Sequence, residues 1–171
     1  DAATGETVRE FEGSKGTEEL IVDGETLYVI AMDGVHELAD YLPESGAAGD
    51  QGIVRARWKW NELPRKVMAF DTKTGEQLWS DVSRVSPLTL TALEGKLFYH
   101  DGEKVVARDG KSGDELWVGG KTDRRDVVTF NFGPKLVVVK GQVLFAGGDR
   151  NMHVYDAATG KEQWTAPHAR G

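Results

Sequence analysis

The chain has no cysteine, which excludes disulfides, thiolate metal sites and cysteine catalysis within it. That absence suits a reducing and an oxidising compartment equally well. A basic tail is also missing. Asp and Glu total 28 against 21 Lys and Arg, a formal charge of −7 spread along the sequence. Affinity for phosphate depends on clustered cations, so no nucleic-acid partner is expected. No apolar run approaches the roughly 18 residues needed to cross a bilayer, and no transmembrane segment is expected. No signal peptide is present, and the sequence opens inside a repeat, as a portion of a longer protein would.

What is present is repetition. The phrase Asp-x-x-(Thr/Ser)-Gly occurs four times, and three copies carry a Trp four residues after the Gly. The complete copies are Asp71, Thr74, Gly75 and Trp79; Asp109, Ser112, Gly113 and Trp117; and Asp156, Thr159, Gly160 and Trp164. The opening copy, Asp1 to Gly5, has Arg9 at the Trp position. Successive Asp positions lie 70, 38 and 47 residues apart. The two shorter intervals suit a four-stranded propeller blade of roughly 40 to 50 residues, and the long one implies an insertion.

Local patterning agrees. Residues 86–93, 96–100, 104–108 and 114–118 read as four strands, with Glu94-Gly95 and Asp101-Gly102 as turns. The next unit repeats the plan at 135–139, 142–146, 152–155 and 162–165. In the first unit, 19–22 and 26–31 read as strands, and the third strand, 67–70, follows only after a long excursion. The 21 glycines and the period-two recurrence of apolar residues leave helices little support. The fold class is therefore all-β: four-stranded antiparallel propeller blades, about three of them, spanning roughly 17–80, 86–118 and 126–165 after an orphan strand at 6–12. Rings close with about four to eight blades, so three form an incomplete ring whose end faces need the remaining blades of a longer chain or another copy.

Each part of the phrase has a physical task. The Asp carboxylate and the Thr or Ser hydroxyl can accept turn N–H groups, and the Gly can adopt positive φ where the chain reverses. The Trp can lie flat against the adjoining blade, burying roughly 150–250 Å². An aromatic platform for a ring-shaped cofactor is the alternative, but a ligand needs one platform and not three.

Read with two upstream residues, the phrase becomes Ala69-x-Asp71-x-x-Thr74-Gly75-x-x-x-Trp79, and likewise from Ala107 to Trp117. This resembles the tryptophan-docking motif of the quinoprotein-type β-propellers, the PQQ-like repeat family. The third copy has Val154 in place of the first Ala. The resemblance implies two possible activities. Some members are dehydrogenases that hold pyrroloquinoline quinone and Ca²⁺ at the propeller axis and oxidise alcohols or sugars. Others are non-catalytic scaffolds, such as the lipoprotein of the outer-membrane β-barrel assembly machinery. The vicinal Cys-Cys pair that covers the cofactor in many alcohol-oxidising members cannot exist here, although glucose-oxidising members can lack it. No cofactor is therefore expected in this segment, with PQQ and Ca²⁺ the requirement if the enzyme alternative holds. The resemblance also implies a periplasmic or extracellular location.

Candidate sites outside the repeat are few. Glu44, Asn61, Asp126 and Asn131 have oxygen ligands of the right type for Ca²⁺ but no cluster pattern. His36, His100, His153 and His168 lack ligand spacing and read as solvated or rim residues, and Asp149-Arg150-Asn151 reads as turn chemistry. Residues 33–66 interrupt the first blade on the rim where binding is most plausible. Within them 35–42 has the pattern of a short amphipathic helix, and Arg55, Arg57, Trp58, Lys59 and Trp60 concentrate cations and aromatics that can contact an acidic protein partner or a carbohydrate. A loop pinned to the neighbouring blade by its Trp residues is the alternative. A further segment, 121–133, is longer than a plain blade connection, and its Asp123-Arg124-Arg125-Asp126 stretch is charge-balanced.

Overall fold

Short alternating segments separated by tight turns favour hairpins, since each reversal pairs a strand with the one just made. In the computed structural model, which describes residues 1, 3–32, 63–122, 134–147 and 150–167, this produces twelve strands and, among the described residues, no helix. The first sheet holds β1 (Thr17–Asp23), β2 (Thr26–Ala31), β3 (Arg65–Asp71) and β4 (Gln77–Ser83). The second holds β5 (Thr91–Leu93), β6 (Lys96–His100), β7 (Lys104–Asp109) and β8 (Glu115–Lys121). The third holds β9 (Lys135–Val139), β10 (Gln142–Ala146), β11 (Asn151–Asp156) and β12 (Glu162–Pro167). Every sheet is antiparallel with strands in sequential order, so each is a meander and none closes into a barrel. The protein is all-β, an incomplete array of propeller blades.

Turn chemistry sets the register. Glu94-Gly95 and Lys140-Gly141 both place two consecutive residues at positive φ, the backbone that matches the twist of a two-residue hairpin. A register shift recurs between the third and fourth strand of each sheet, at Ala69/Phe70, Ala107/Arg108 and Val154/Tyr155. It falls just before each Asp-x-x-(Thr/Ser)-Gly turn and locally increases strand twist there.

Cross-strand pairing places equivalent residues in one row per sheet. The rows are Ile21, Tyr28, Ala69, Trp79 in the first, Thr91, Phe98, Ala107, Trp117 in the second, and Val137, Leu144, Val154, Trp164 in the third. The core lies between sheets. Tyr28 and Ala69 pack with Leu97, Tyr99 and Val106 of the following sheet, and Phe98, Ala107 and Trp117 pack with Leu136, Val143, Phe145 and Tyr155. The leading face of the first sheet, with Val29, Met68 and Phe70, is covered by Phe11, whose ring meets Phe70 edge-on at 5.4 Å.

Four sequence expectations are corrected here. The alternation at 86–93 predicts a full strand, yet only Thr91–Leu93 forms one. Ser86 N–H instead donates to His100 O at 2.7 Å, the Thr89 hydroxyl donates back to Ser86 O at 2.6 Å, and Leu88 takes a φ of 63°. Hydrogen bonds to non-ladder partners thus outcompete the pleat at those positions. His100 is not a rim residue either, because it is fully buried, stacked on Phe145 with ring centroids 4.2 Å apart. Its Nδ1 accepts from Gly102 N–H at 3.1 Å and faces the Ser86 hydroxyl at 3.0 Å, while Nε2 lies 3.3 Å from Thr122 O. This bonding compensates for burying the polar ring. Residues 6–12, read from the sequence as an orphan strand, form no strand and join none of the described sheets. β2 ends at Ala31 and β3 starts at Arg65, so residues 65 and 66, read from the sequence as the end of the 33–66 interruption, belong to the third strand of the first sheet.

Candidate functional site

The four Asp-x-x-(Thr/Ser)-Gly turns share one hydrogen-bond pattern. Asp71 Oδ1 accepts from Lys73 N–H at 2.8 Å and Thr74 N–H at 2.7 Å. Asp109 Oδ1 takes Lys111 and Ser112 N–H, both at 2.9 Å, and Asp156 Oδ1 takes Ala158 and Thr159 N–H at 3.1 and 2.9 Å. Asp1 does the same with Ala3 and Thr4. The hydroxyls of Thr4, Thr74, Ser112 and Thr159 each accept the N–H two residues on. Each Gly donates its N–H to its Asp carbonyl oxygen at 2.8–2.9 Å.

These bonds favour the charged carboxylate. Asp71 is held below the ordinary aspartate range chiefly by Thr74 N–H, and Asp109 chiefly by Ser112 N–H. The Thr159 hydroxyl, donating at 2.8 Å, contributes most for Asp156.

The turn Gly presents a bare face to the Trp of the preceding sheet. An added Cβ would fall 2.6 Å from the Trp79 ring at Gly113, and 2.5 Å from the Trp117 ring at Gly160. The indole N–H then donates to the carbonyl of the residue following the turn Asp, Trp79 to Gly110 O at 2.9 Å and Trp117 to Ala157 O at 3.1 Å. Close approach, positive φ and a directional hydrogen bond therefore coincide at each seat. At Gly75 the occupant is Arg9, whose aliphatic stem lies 3.0 Å from the Cβ position and whose guanidinium donates to Thr74 O. Its position four residues after Gly5 was the signal in the sequence for this substitution. Among the described residues no turn Gly meets Trp164, which is 44% exposed.

Polar contacts across the sheets reinforce this packing, and the repeat gives no hint of them. The Glu19 carboxylate accepts Leu88 and Leu90 N–H from the following blade's approach segment. Burial raises its pKa above the ordinary range despite those bonds. Asp23 accepts Gly95 N–H at 2.7 Å, and Arg108 pairs with Asp81 at 2.5 Å.

The partner-binding candidates Arg55, Arg57, Trp58, Lys59 and Trp60 lie outside the described residues, as do Glu44, Asn61, Asp126 and Asn131, the stretch 123–133, the proposed helix 35–42, Asp149, His36 and His168. Arg150 takes a φ of 75° at the turn before β11, and His153 in β11 faces Glu162 at 3.2 Å. Among the described residues, no three His, Asp or Glu side chains stand together as a metal-ion site. No helix of the described residues is long and apolar enough to cross a membrane.

Known proteins set this geometry in context. A family model described as outer membrane protein assembly factor BamB matches residues 1–171. No curated protein matches the sequence. Among solved structures, the computationally designed Ika4 protein is 16% identical with a TM-score of 0.63, the match covering 98% of this chain and 81% of that one. A europium-containing methanol dehydrogenase is 19% identical with a TM-score of 0.55, covering 90% of this chain and 26% of its own. The quinohemoprotein alcohol dehydrogenase of Comamonas testosteroni is 19% identical with a TM-score of 0.51, covering 92% and 22%. The chain thus spans about a quarter of each dehydrogenase, and at these identities the likeness is one of fold.

Proposed function

Because the chain belongs to the PQQ-like β-propeller repeat family, whose matching model is described as outer membrane protein assembly factor BamB, we propose that it is a non-catalytic propeller segment serving as a protein-interaction scaffold. The observation that carries this reading is the use made of the repeated Trp residues. Trp79 and Trp117 lie on Gly turns of the next sheet, with their indole N–H groups bonded there, so both rings serve the packing between sheets. The repeat then supplies rigidity, and recognition falls to the rim where it is interrupted. The partner is a protein contacted through residues 33–66, with Arg55, Arg57, Trp58, Lys59 and Trp60 as the contact group. The family description supports an outer-membrane assembly component as its class, and a periplasmic or extracellular location with it.

Two measurements on the full-length protein test this. Replacing Trp58 and Trp60 with Ala should weaken binding to an immobilised outer-membrane assembly partner while leaving thermal unfolding unchanged; lost stability with unaltered binding would refute the assignment. Dye-linked alcohol or sugar oxidation after loading with pyrroloquinoline quinone and Ca²⁺ would replace the scaffold by a quinone-dependent dehydrogenase.

A further inference from the structure

The link between β4 and β5 contains a strained residue whose hold comes from another sheet. Leu88 takes a φ of 63°, a left-handed backbone that is unfavourable for any residue with a Cβ. Its side chain is 54% exposed, so apolar burial does not offset the strain. A carboxylate holds it instead. Glu19, in β1 of the first sheet, accepts Leu88 N–H at 2.5 Å and Leu90 N–H at 3.1 Å. Both sides of this contact lie within the chain.

The electrostatic surroundings of Glu19 are sparse. Segment 86–90 and β5 carry no ionisable side chain, and β2 carries only Tyr28, whose phenol burial pushes further above its ordinary value. On β1 itself, Glu18 adds a like charge but is paired with Arg65 at 3.0 Å, and Asp23 stands at the far end on Gly95 N–H.

We propose that Glu19 and the Leu88 segment form a pH-responsive latch on the rim between the first two sheets, tighter when the carboxyl is neutral than when it is charged. Closing the segment withdraws the carboxylate from water, at a cost greater than its two N–H donors return, so burial holds the Glu19 pKa above the ordinary range. With the segment released, the carboxyl is solvated and titrates normally. Protonation therefore favours the closed form. That advantage is full below the ordinary value of 4.5 and is lost as pH rises through the higher value of the closed form. A neutral carboxyl still accepts at its carbonyl oxygen. The latch does not depend on whether the propeller is a scaffold or an enzyme.

Hydrogen exchange on the full-length protein tests this, read at single amides by mass spectrometry and corrected for intrinsic exchange. Between about pH 4.5 and 8, protection at Leu88 and Leu90 should fall at least about threefold, while Met68 in β3 and Phe98 in β6 keep theirs. Glu19→Gln, neutral throughout, should give a flat profile. Leu88→Gly leaves the carboxylate and both donors in place and should keep the slope, so the test stays decisive should the Glu19 variant misfold. A flat wild-type profile, protection that rises with pH, or an equal fall at Met68 and Phe98 would overturn the latch. So would a Gln variant that retains the wild-type slope or a Leu88→Gly chain that loses it.

Discussion

Gly160 and Gly141 offer a matched pair for measuring what the close approach of Trp and turn contributes. Both have positive φ, 70° and 75°, so an alanine at either incurs the left-handed backbone cost of about 1–2 kcal/mol. Around Gly141 a methyl meets nothing within 4 Å, and Gly141→Ala should cost no more than that. At Gly160 the methyl would lie 2.5 Å from the Trp117 ring, and Trp117, only 8% exposed, is enclosed by Phe98, Tyr155 and Leu136. The ring must shift against a packed surface, adding an overpacking cost of about 1–3 kcal/mol. If it were expelled altogether, about 200 Å² of apolar surface at about 25 cal/mol per Å² would be exposed, an upper limit near 5 kcal/mol. Gly160→Ala should therefore cost about 2–5 kcal/mol in total. Urea unfolding followed by far-ultraviolet circular dichroism compares the variants directly, and a red shift of Trp emission should accompany the Gly160 change alone. Equal destabilisation at the two positions, within about 0.5 kcal/mol, would refute the claim that the Trp–Gly approach is energetically tight.

Two further outcomes follow from the same geometry. Truncating the three repeat Trp residues should rank by burial, with Trp117→Ala costing about 3–5 kcal/mol, half-buried Trp79→Ala less, and exposed Trp164→Ala least; denaturant midpoints that do not follow this order would contradict it. The folded-state depression of Asp71, Asp109 and Asp156 means that their contribution is present above about pH 4 and lost as pH falls through the folded values. Glu19, raised by burial, has the opposite sign and favours the fold as it protonates. Asp109→Asn should accordingly flatten the acid limb of a stability profile between about pH 2 and 6, and an unchanged limb would show that the turn bonds are formed equally in the unfolded chain.

The sequence by itself determined the repeated turns and the strands that follow them. The Asp, hydroxyl and Gly bonds close within five residues, so their geometry is a local property of residue type and order. Strand alternation is equally local, and it failed at 86–90, where bonds to His100 and Glu19 from other strands replaced the ladder. Tertiary structure decided which turn each Trp meets, since Trp79 and Trp117 reach partners 31 and 40 residues away and Arg9 reaches 65 residues to Thr74. It also decided that His100 is buried, because the Phe145 ring that covers it belongs to the next sheet. Residue type can forecast a bond that a short stretch of chain makes with itself, whereas burial and docking depend on surfaces that exist only once two sheets meet.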